Sequence, residues 1–247
     1  MTWHAKPSGP YNFSTTENYD NSMEIYSIFS AQGYTASAVS GICANIMSEG
    51  GMNPWRWQGD VYRPSLGYGL FQYTPSTGYT SLPGATPNFS VTEVTPGATP
   101  EDGARQCQAV YENNPAKWVS TCWRIYWDAN VHSNFYNRTR YILNTWGNGT
   151  RITLDQFKLI DDYAYACDCF LACFEGEGDP SDYSARERVA KDFYERFTGV
   201  TPPDPPTPPD PPDPPDPPPH PPTPGSFNMY WFLKRQADKQ NINLILK

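Results

Sequence analysis

The sequence predicts a mainly helical globular domain, followed by a polyproline rod and a short C-terminal segment. Apolar residues recur at helical spacing in several long stretches, whereas the alternation that is typical of strands is weak throughout. Hydrophobic residues make up 38% of the 247 residues and aromatic residues 15%, which is enough apolar material for one core. Near residue 200 the composition changes abruptly to proline-rich, which ends the globular part.

The predicted elements follow one another along the first 199 residues. A helix over 21–34 stops at Gly33, and Thr35 or Ser37 caps a second helix that carries Val39 to Met47. Residues 81–116 are rich in Pro, Gly, Thr and Asn, so we expect a long surface excursion with short ordered pieces. Aromatic-rich helices are predicted at 117–146 and 153–175, and a charged helix at 181–198.

Three regions are therefore expected. Residues 1–199 form the globular domain, since they alone can bury a core. Residues 200–225 repeat PPD and PPT triplets, which predicts a polyproline II linker of about 3.1 Å per residue. Residues 226–247 are too few for a core, but their "FNMYWFL" is too apolar to stay exposed. We expect this segment to dock on a partner protein, unless it is the first element of a longer chain.

Charge and hydropathy exclude several classes of partner. The net charge is −8 and the isoelectric point is about 4.8, which argues against nucleic acid or an anionic membrane, because both attract basic surfaces. The sequence contains no run of 18 or more apolar residues, so no membrane span is predicted. The N-terminus lacks a basic start followed by an apolar stretch, so no signal peptide is expected.

Six cysteines allow either free buried thiols or a few disulfides, and the sequence does not decide between them. Cys167, Cys169 and Cys173 crowd one predicted helix, a pattern that occurs in some metal sites. The three histidines are scattered, however, and no second Cys-x-x-Cys pair completes a four-ligand set. We therefore predict neither a metal nor another cofactor.

The second helix ends in an unusual carboxylate. Val39, Ile42, Ile46 and Glu49 follow the spacing of a single helix face, so the apolar stripe terminates in Glu49. Partial burial disfavours ionisation, as a general acid working near neutral pH requires. Gly50 and Gly51 then stop the helix and leave the side chain where a cleft can open. The alternative is a solvated or ion-paired glutamate at a helix end.

Aromatic and amide residues follow Glu49 closely. Trp57, Tyr68, Phe71 and Tyr73 supply rings, and Gln72 supplies an amide. Sugars stack their C–H faces on rings while their hydroxyls form hydrogen bonds, so this composition suits a saccharide site. A core rich in aromatic residues is the competing interpretation.

Three blocks of the sequence resemble a known family. "SEGGMNP" at 48–54 and "GYGLFQYTP" at 67–75 resemble the paired motifs of goose-type lysozymes, lytic transglycosylases and, most closely, phage tail lysozymes. "CFLACFEGEGDPSDYSARERVAKDFYERF" at 169–197 looks like a third block of the last family, with a Phe, an acid three to five residues on, and a helix containing Arg, Ala and Tyr. The resemblance spans roughly residues 22–198.

The resemblance implies an α+β lysozyme-like fold and a set of site residues. Glu49 is implied as the general acid that protonates the glycosidic oxygen between N-acetylmuramic acid and N-acetylglucosamine. Gly69 and Leu70 would form a turn under the scissile bond, with Gln72 binding substrate. Tyr165 is expected to steady Glu49, although the Asn that accompanies this Tyr in transglycosylases is missing. Gly50 also replaces a common Ser.

Hydrolysis usually needs a second carboxylate or help from the substrate. Asp60 is our candidate for the base that positions water, with Asp161 and Asp162 as further options. If none of them serves, the N-acetyl group of the substrate can attack, which gives the 1,6-anhydro product of a lytic transglycosylase.

The sequence thus predicts a bacteriophage muramidase that acts on bacterial peptidoglycan. The rod and the 226–247 segment favour attachment to the phage tail or another virion protein, for use in cell-wall penetration. The alternatives are a lysozyme-fold virion protein that binds without turnover, a lytic transglycosylase, and an endolysin that acts at host lysis.

Overall fold

The computed structural model describes residues 2–9, 13–113, 134–149, 151–175 and 182–201. Within these ranges the chain forms α1 (Thr15–Ala31), α2 (Ala36–Ser48), α3 (Thr77–Thr80), α4 (Asp102–Asn113), α5 (Asn134–Thr145), α6 (Leu154–Phe157), α7 (Tyr163–Phe170) and α8 (Tyr183–Thr198). A 3₁₀ turn covers Gln58–Asp60, and a π-helical turn at Leu171–Glu175 continues α7. The β pairing recorded in these ranges is one isolated antiparallel bridge between Trp57 and Tyr68. The prediction of a mainly helical domain is confirmed.

Helix caps explain where the first two helices begin. The hydroxyl of Ser14 accepts from the Glu17 N–H, and the Glu17 carboxylate accepts from the Ser14 N–H. This capping box starts α1 before the predicted residue 21. For α2, Thr35 rather than Ser37 is the cap, since its hydroxyl accepts from the Ala38 N–H at 3.0 Å.

Two further segments differ from their predictions, one because a helix was missed and one because a single helix was predicted where there are two. The stretch 81–116 contains a regular helix, α4, whose buried face includes Cys107 and Val110. That face was missed because Asp102 and Gln106, also fully buried, give it a polar sequence. The predicted helix 153–175 is divided into α6 and α7, because Asp162 caps α7 by accepting from the Ala164 and Tyr165 N–H groups.

Other predictions fall wholly or partly outside the described residues. Of the predicted helix 117–146, the structure describes the part at 134–145, which is helical, and leaves 114–133 out. The rod and the docking segment fall in 202–247, also outside the described part.

α2 is the central element of the core. It is buried on all sides from Ser37 to Ile46 and packs chiefly against α7 and α8, with α1 alongside. Gly41 permits the closest approach, because a Cβ there would lie 2.5 Å from the backbone nitrogen of Cys167 in α7. Asn45 joins the two helices by donating to the Cys167 carbonyl at 3.0 Å. The predicted apolar face of Val39, Ile42 and Ile46 is confirmed as core.

A second, smaller cluster is built from aromatic side chains around α4. It contains Trp55, Trp57, Tyr68 and Tyr79. Its polar centre is the buried Asp102, whose carboxylate accepts from the hydroxyls of Tyr68 at 3.2 Å and Tyr79 at 2.6 Å. Burial and this carboxylate together raise the pKa of both tyrosines. The cluster supports the loops that follow α2.

The described cysteines are buried thiols. They are Cys43, Cys107, Cys167, Cys169 and Cys173, and Cys122 lies outside the described residues. Burial raises the pKa of the Cys43 and Cys167 thiols, which keeps them protonated and unreactive. In the described ranges, no group of three or more His, Cys, Asp or Glu side chains is arranged to hold a metal ion. The helices of those ranges include none that is both long and apolar enough to cross a bilayer.

Candidate active site

Glu49 lies where α2 ends, on the surface side of the core. It is the C-cap residue of α2, and its N–H donates to the Asn45 carbonyl at 3.1 Å. Gly50 and Gly51 follow with φ values of 134° and 89°, a region that L side chains rarely adopt, so the chain turns away immediately. The side chain of Glu49 is 32% exposed. Glu49 is therefore a half-buried carboxylate at a helix end, and it has the ion pair that the alternative interpretation expected.

Arg186 of α8 holds the Glu49 carboxylate. Its Nη1 and Nη2 both donate to Oε1 of Glu49 at 3.2 Å, and Nη1 also donates to Oδ1 of Asn45 at 3.0 Å. Its Nε donates to Asp182 at 2.9 Å. Burial works against the charge of Arg186, but the bonds to Asp182 and Glu49 outweigh it and raise its pKa. The guanidinium therefore stays charged and holds the Glu49 side chain in one conformation.

A depression of about 500 Å³ opens beside Glu49. Its size is in the usual range for small-molecule sites. Most of its walls are polar, and they come from four parts of the chain: the end of α2 (Ser48, Glu49), the next loop (Arg56, Gln58, Gly59), a tight turn (Phe71, Gln72, Thr74) and the π-helical turn (Glu175). Such a lining offers hydrogen bonds to the hydroxyl and amide groups of a sugar.

The tight turn at 69–72 brings Gln72 into this depression. Gly69 and Gln72 both have positive φ, 80° and 41°, and Gln72 Nε2 donates to the Gly69 carbonyl at 2.7 Å. The Leu70 N–H donates to Oε1 of Gln106 at 2.7 Å, and a Cβ at Gly69 would collide with that same amide. Glycine at position 69 is thus required by the approach of α4, which fixes the turn.

Of the predicted aromatic residues, Phe71 alone lies at the depression. Phe71 is among the lining residues but is only 1% exposed, and its ring packs against Phe174 with the centroids 5.7 Å apart, so it offers a sugar little area for stacking. Tyr73 packs behind, stacked on Tyr79 at 5.3 Å, with its hydroxyl donating to the Gln106 carbonyl.

Trp57 and Tyr68 lie in the interior and not at the depression. Both side chains are fully buried, at 0% exposure. The Trp57 indole N–H donates to the Asn88 carbonyl at 2.7 Å. The Tyr68 hydroxyl donates to the Asp102 carboxylate and accepts from the Asn88 N–H. A sugar cannot stack on rings that have no exposed face, so these two residues support the site without lining it.

Tyr165 also lies away from Glu49. It is 2% exposed, and its ring packs on Tyr141 and Trp146 at 5.2 and 5.5 Å. The Arg138 guanidinium lies over this ring, 5.0 Å from the centroid. The contact that steadies Glu49 comes from Arg186 of α8, while the Tyr165 side chain serves the core.

Asp60 is close to the depression without being part of its lining. Its φ is 53°, and its Oδ1 accepts from the Gly9 N–H at 2.9 Å and forms an ion pair with Arg56. Arg56 does line the depression. The geometry therefore gives Asp60 the task of holding Arg56 in place. Asp161 and Asp162, the further options, sit at the start of α7, where Asp162 is occupied as the helix cap.

Sequence reasoning missed Arg186, Arg56 and Glu175. The only local signal for Arg186 is its i,i+4 spacing from Asp182. Glu175 stands in the third block of the family resemblance, where it had no assigned role. Arg186 and Glu175 reach the site through contacts between segments far apart in the chain, which periodicity does not report, whereas Arg56 belongs to the loop that follows α2.

We expect the Arg186 guanidinium to act as a positioning group for Glu49. Arg186→Met should lower kcat by about 100-fold for the glycan cleavage that the sequence resemblance implies, because displacing a catalytic group by about 1 Å can reduce a rate that much. KM should change little, since Arg186 is outside the depression. Arg186→Lys keeps the charge and should recover part of the rate. Steady-state kinetics with soluble glycan fragments measures both constants. If kcat falls equally in the Lys and Met variants, and the loss follows the fall in their unfolding temperatures, the role of Arg186 is merely structural.

Comparisons with known proteins agree with the motifs and the fold. The model of the family "Phage tail lysozyme" matches residues 20–197, which is most of the chain. Over 60 residues the chain is 38% identical to "Morphogenesis protein 1" of Bacillus phage B103. That alignment covers 24% of this chain and 16% of the relative, so the chain spans a small part of the length of that protein.

Proposed function

Because the chain belongs to the phage tail lysozyme family, we propose that it cleaves the glycosidic bond between N-acetylmuramic acid and N-acetylglucosamine in bacterial peptidoglycan, with Glu49 as the general acid. The observation that carries this proposal is the placement of Glu49. A half-buried carboxylate is fixed by a guanidinium at the mouth of a polar depression, beside the turn that carries Gln72.

Glu49 can serve as an acid while it remains bonded to Arg186. Both guanidinium contacts end on Oε1 of Glu49. In the acid form Oε1 is the carbonyl oxygen and still accepts from Arg186, while Oε2 carries the proton. This proton passes to the glycosidic oxygen as its bond to C1 breaks, so the leaving sugar departs as a neutral alcohol. Gln72 and Gln58 supply amide donors and acceptors for the sugar substituents.

The family description and the name of the relative support a place on the virion. We propose that the enzyme is carried on the phage tail and opens the host wall during entry. The linker at 200–225 would hold residues 1–199 away from the particle, and the segment 226–247 would dock on another virion protein. The acidic net charge gives no electrostatic attraction to an anionic wall, which fits delivery by the particle.

The direct test is digestion of purified cell walls by the unmutated protein. We expect the turbidity of the suspension to fall and soluble fragments to appear whose new ends are N-acetylmuramic acid, by mass spectrometry. Heat-denatured protein is the control for turbidity lost by sedimentation. New N-acetylglucosamine ends or free peptides would contradict the assigned bond. Sedimentation of the protein with intact walls, without fragments, would identify a binding protein that has no turnover.

A further inference from the structure

We propose that Glu175 is the second carboxylate of the site and acts as the base that takes a proton from the attacking water. This inference rests on the proposed function. Glu175 lines the same depression as Glu49, from the wall that α7 provides, whereas Asp60 is not among the lining residues. Two carboxylates that line one depression are the arrangement by which most glycosidases hydrolyse a glycosidic bond.

Glu175 lies on a backbone segment with an uncommon conformation. It is the last residue of the π-helical turn Leu171–Glu175, and π-helical turns are rare and concentrated at functional sites. The preceding Phe174 is buried, stacked on Phe170 at 4.6 Å and packed against Phe71 at 5.7 Å. Since Phe71 itself lines the depression, these rings fix Glu175 relative to the tight turn that carries Phe71 and Gln72.

The surroundings of Glu175 suit a base. One of its carboxylate oxygens, Oε1, is shielded from solvent. Burial raises the pKa of Tyr73, and the negative charges of neighbours including Glu175 add to this, which places the carboxylate close to the buried face of the turn. The Glu175 carboxylate is therefore part of the depression and also close to the core.

Asp60 is less suited to this task. Its Oδ1 already accepts from the Gly9 N–H and from the guanidinium of Arg56. Asp60 thus positions Arg56 as a cation in the depression, and Glu175 takes the proton.

The proposed step balances without any further group. Water attacks C1 of the N-acetylmuramic acid residue, and the C1–O bond of the new hydroxyl forms as the glycosidic C1–O bond breaks. One proton moves from the water to Glu175, and one moves from Glu49 to the leaving oxygen. Exchange with solvent then returns each carboxyl to its starting state. Because water enters opposite the leaving group, the configuration at C1 is inverted.

The unmutated protein tests this step without depending on the folding of a variant. Digestion of glycan strands in ¹⁸O-labelled water should place one label at each new reducing end, with the inverted anomer seen first by NMR. A 1,6-anhydro end without label, or a retained anomer, would overturn the role of Glu175. In either of those cases the wall is still cleaved, so the proposed function would stand.

Variants identify the residue. Glu175→Gln should lower the hydrolysis rate by about 100-fold or more, while sedimentation with walls is unchanged. Glu175→Ala should be inactive in buffer and recover activity with sodium azide, which needs no base and yields an azide-capped glycan detected by mass. Asp60→Asn and Asp60→Ala are the comparison variants, and azide capping is not expected in Asp60→Ala. Wild-type rates in both Glu175 variants, or azide capping in Asp60→Ala in place of Glu175→Ala, would contradict the assignment. If the unmutated protein cleaves nothing, the proposed function itself fails.

Discussion

Glu49→Gln is expected to lower the rate of wall cleavage by about 1,000-fold or more, because it removes the proton that the leaving oxygen needs. Glutamine keeps the size of the side chain, and its carbonyl oxygen can still accept from Arg186. The Asp182 carboxylate, at 2.9 Å, continues to balance the guanidinium. We therefore expect the unfolding temperature to fall by only a few degrees. The measurements are the turbidity of a wall suspension and thermal unfolding followed by circular dichroism.

A matched substitution separates loss of chemistry from loss of charge. Glu93 is exposed in the loop before α4, so Glu93→Gln makes the same change in net charge at a side chain that does not line the depression. It should cleave walls at the rate of the unmutated protein. Glu49→Gln should also still sediment with walls, since the lining of the depression is otherwise intact. Clearing of the suspension by Glu49→Gln at the unmutated rate would remove Glu49 from the mechanism.

The position of Glu49 could be predicted because its evidence is local. Val39, Ile42 and Ile46 mark the buried face of a single helix, and two glycines mark its end. Helical periodicity reports which residues share a face without reference to the rest of the chain. The mainly helical fold class was predictable for the same reason, since most of the described helices carry such a stripe.

The partners of Glu49 could not be predicted, because they arise from long-range packing. Arg186 is 137 residues away in sequence and reaches Glu49 only because α8 packs on α2. Glu175 enters the same depression from the end of α7. Arg186 does not differ in its local sequence from a charged residue on a solvated helix face, and Glu175, although it follows an apolar run, has no local signal that it meets Glu49. The second carboxylate was consequently sought at Asp60, close to Glu49 in sequence, where the structure has an ion pair with Arg56.

The sequence also could not show which aromatic residues line the site and which fill the core. A ring with a polar tip is equally suited to stack on a sugar and to fill a core with its tip bonded. Tyr68 fills the core, because its hydroxyl donates a hydrogen bond to the buried Asp102 of α4. That carboxylate gave α4 a polar sequence and made the helix hard to recognise. One buried polar centre therefore accounts for two errors, the missed helix and the assignment of Tyr68 to the site.

Gly41→Ala is expected to destabilise the domain by about 3 kcal/mol, although the same change in an exposed helix stabilises by about 1 kcal/mol. The new Cβ would lie 2.5 Å from the Cys167 nitrogen and 2.6 Å from the Ala166 carbonyl carbon, both backbone atoms of α7. No rotation of a side chain relieves such a contact, so α2 and α7 must separate. For a domain of this size the unfolding temperature should fall by about 6–12 °C.

Gly78→Ala is the control, since a Cβ at Gly78 would meet no atom within 4 Å. It should leave the unfolding temperature unchanged or slightly raised. Separation of α2 from α7 also strains the bond from Asn45 to the Cys167 carbonyl, and Asn45 accepts from the same Arg186 that holds Glu49. Gly41→Ala should therefore lose cleavage activity even at temperatures where it remains folded. Unfolding of Gly41→Ala at or above the unmutated temperature would show that α2 and α7 are not in such close contact, and would weaken the case for a rigidly held Glu49.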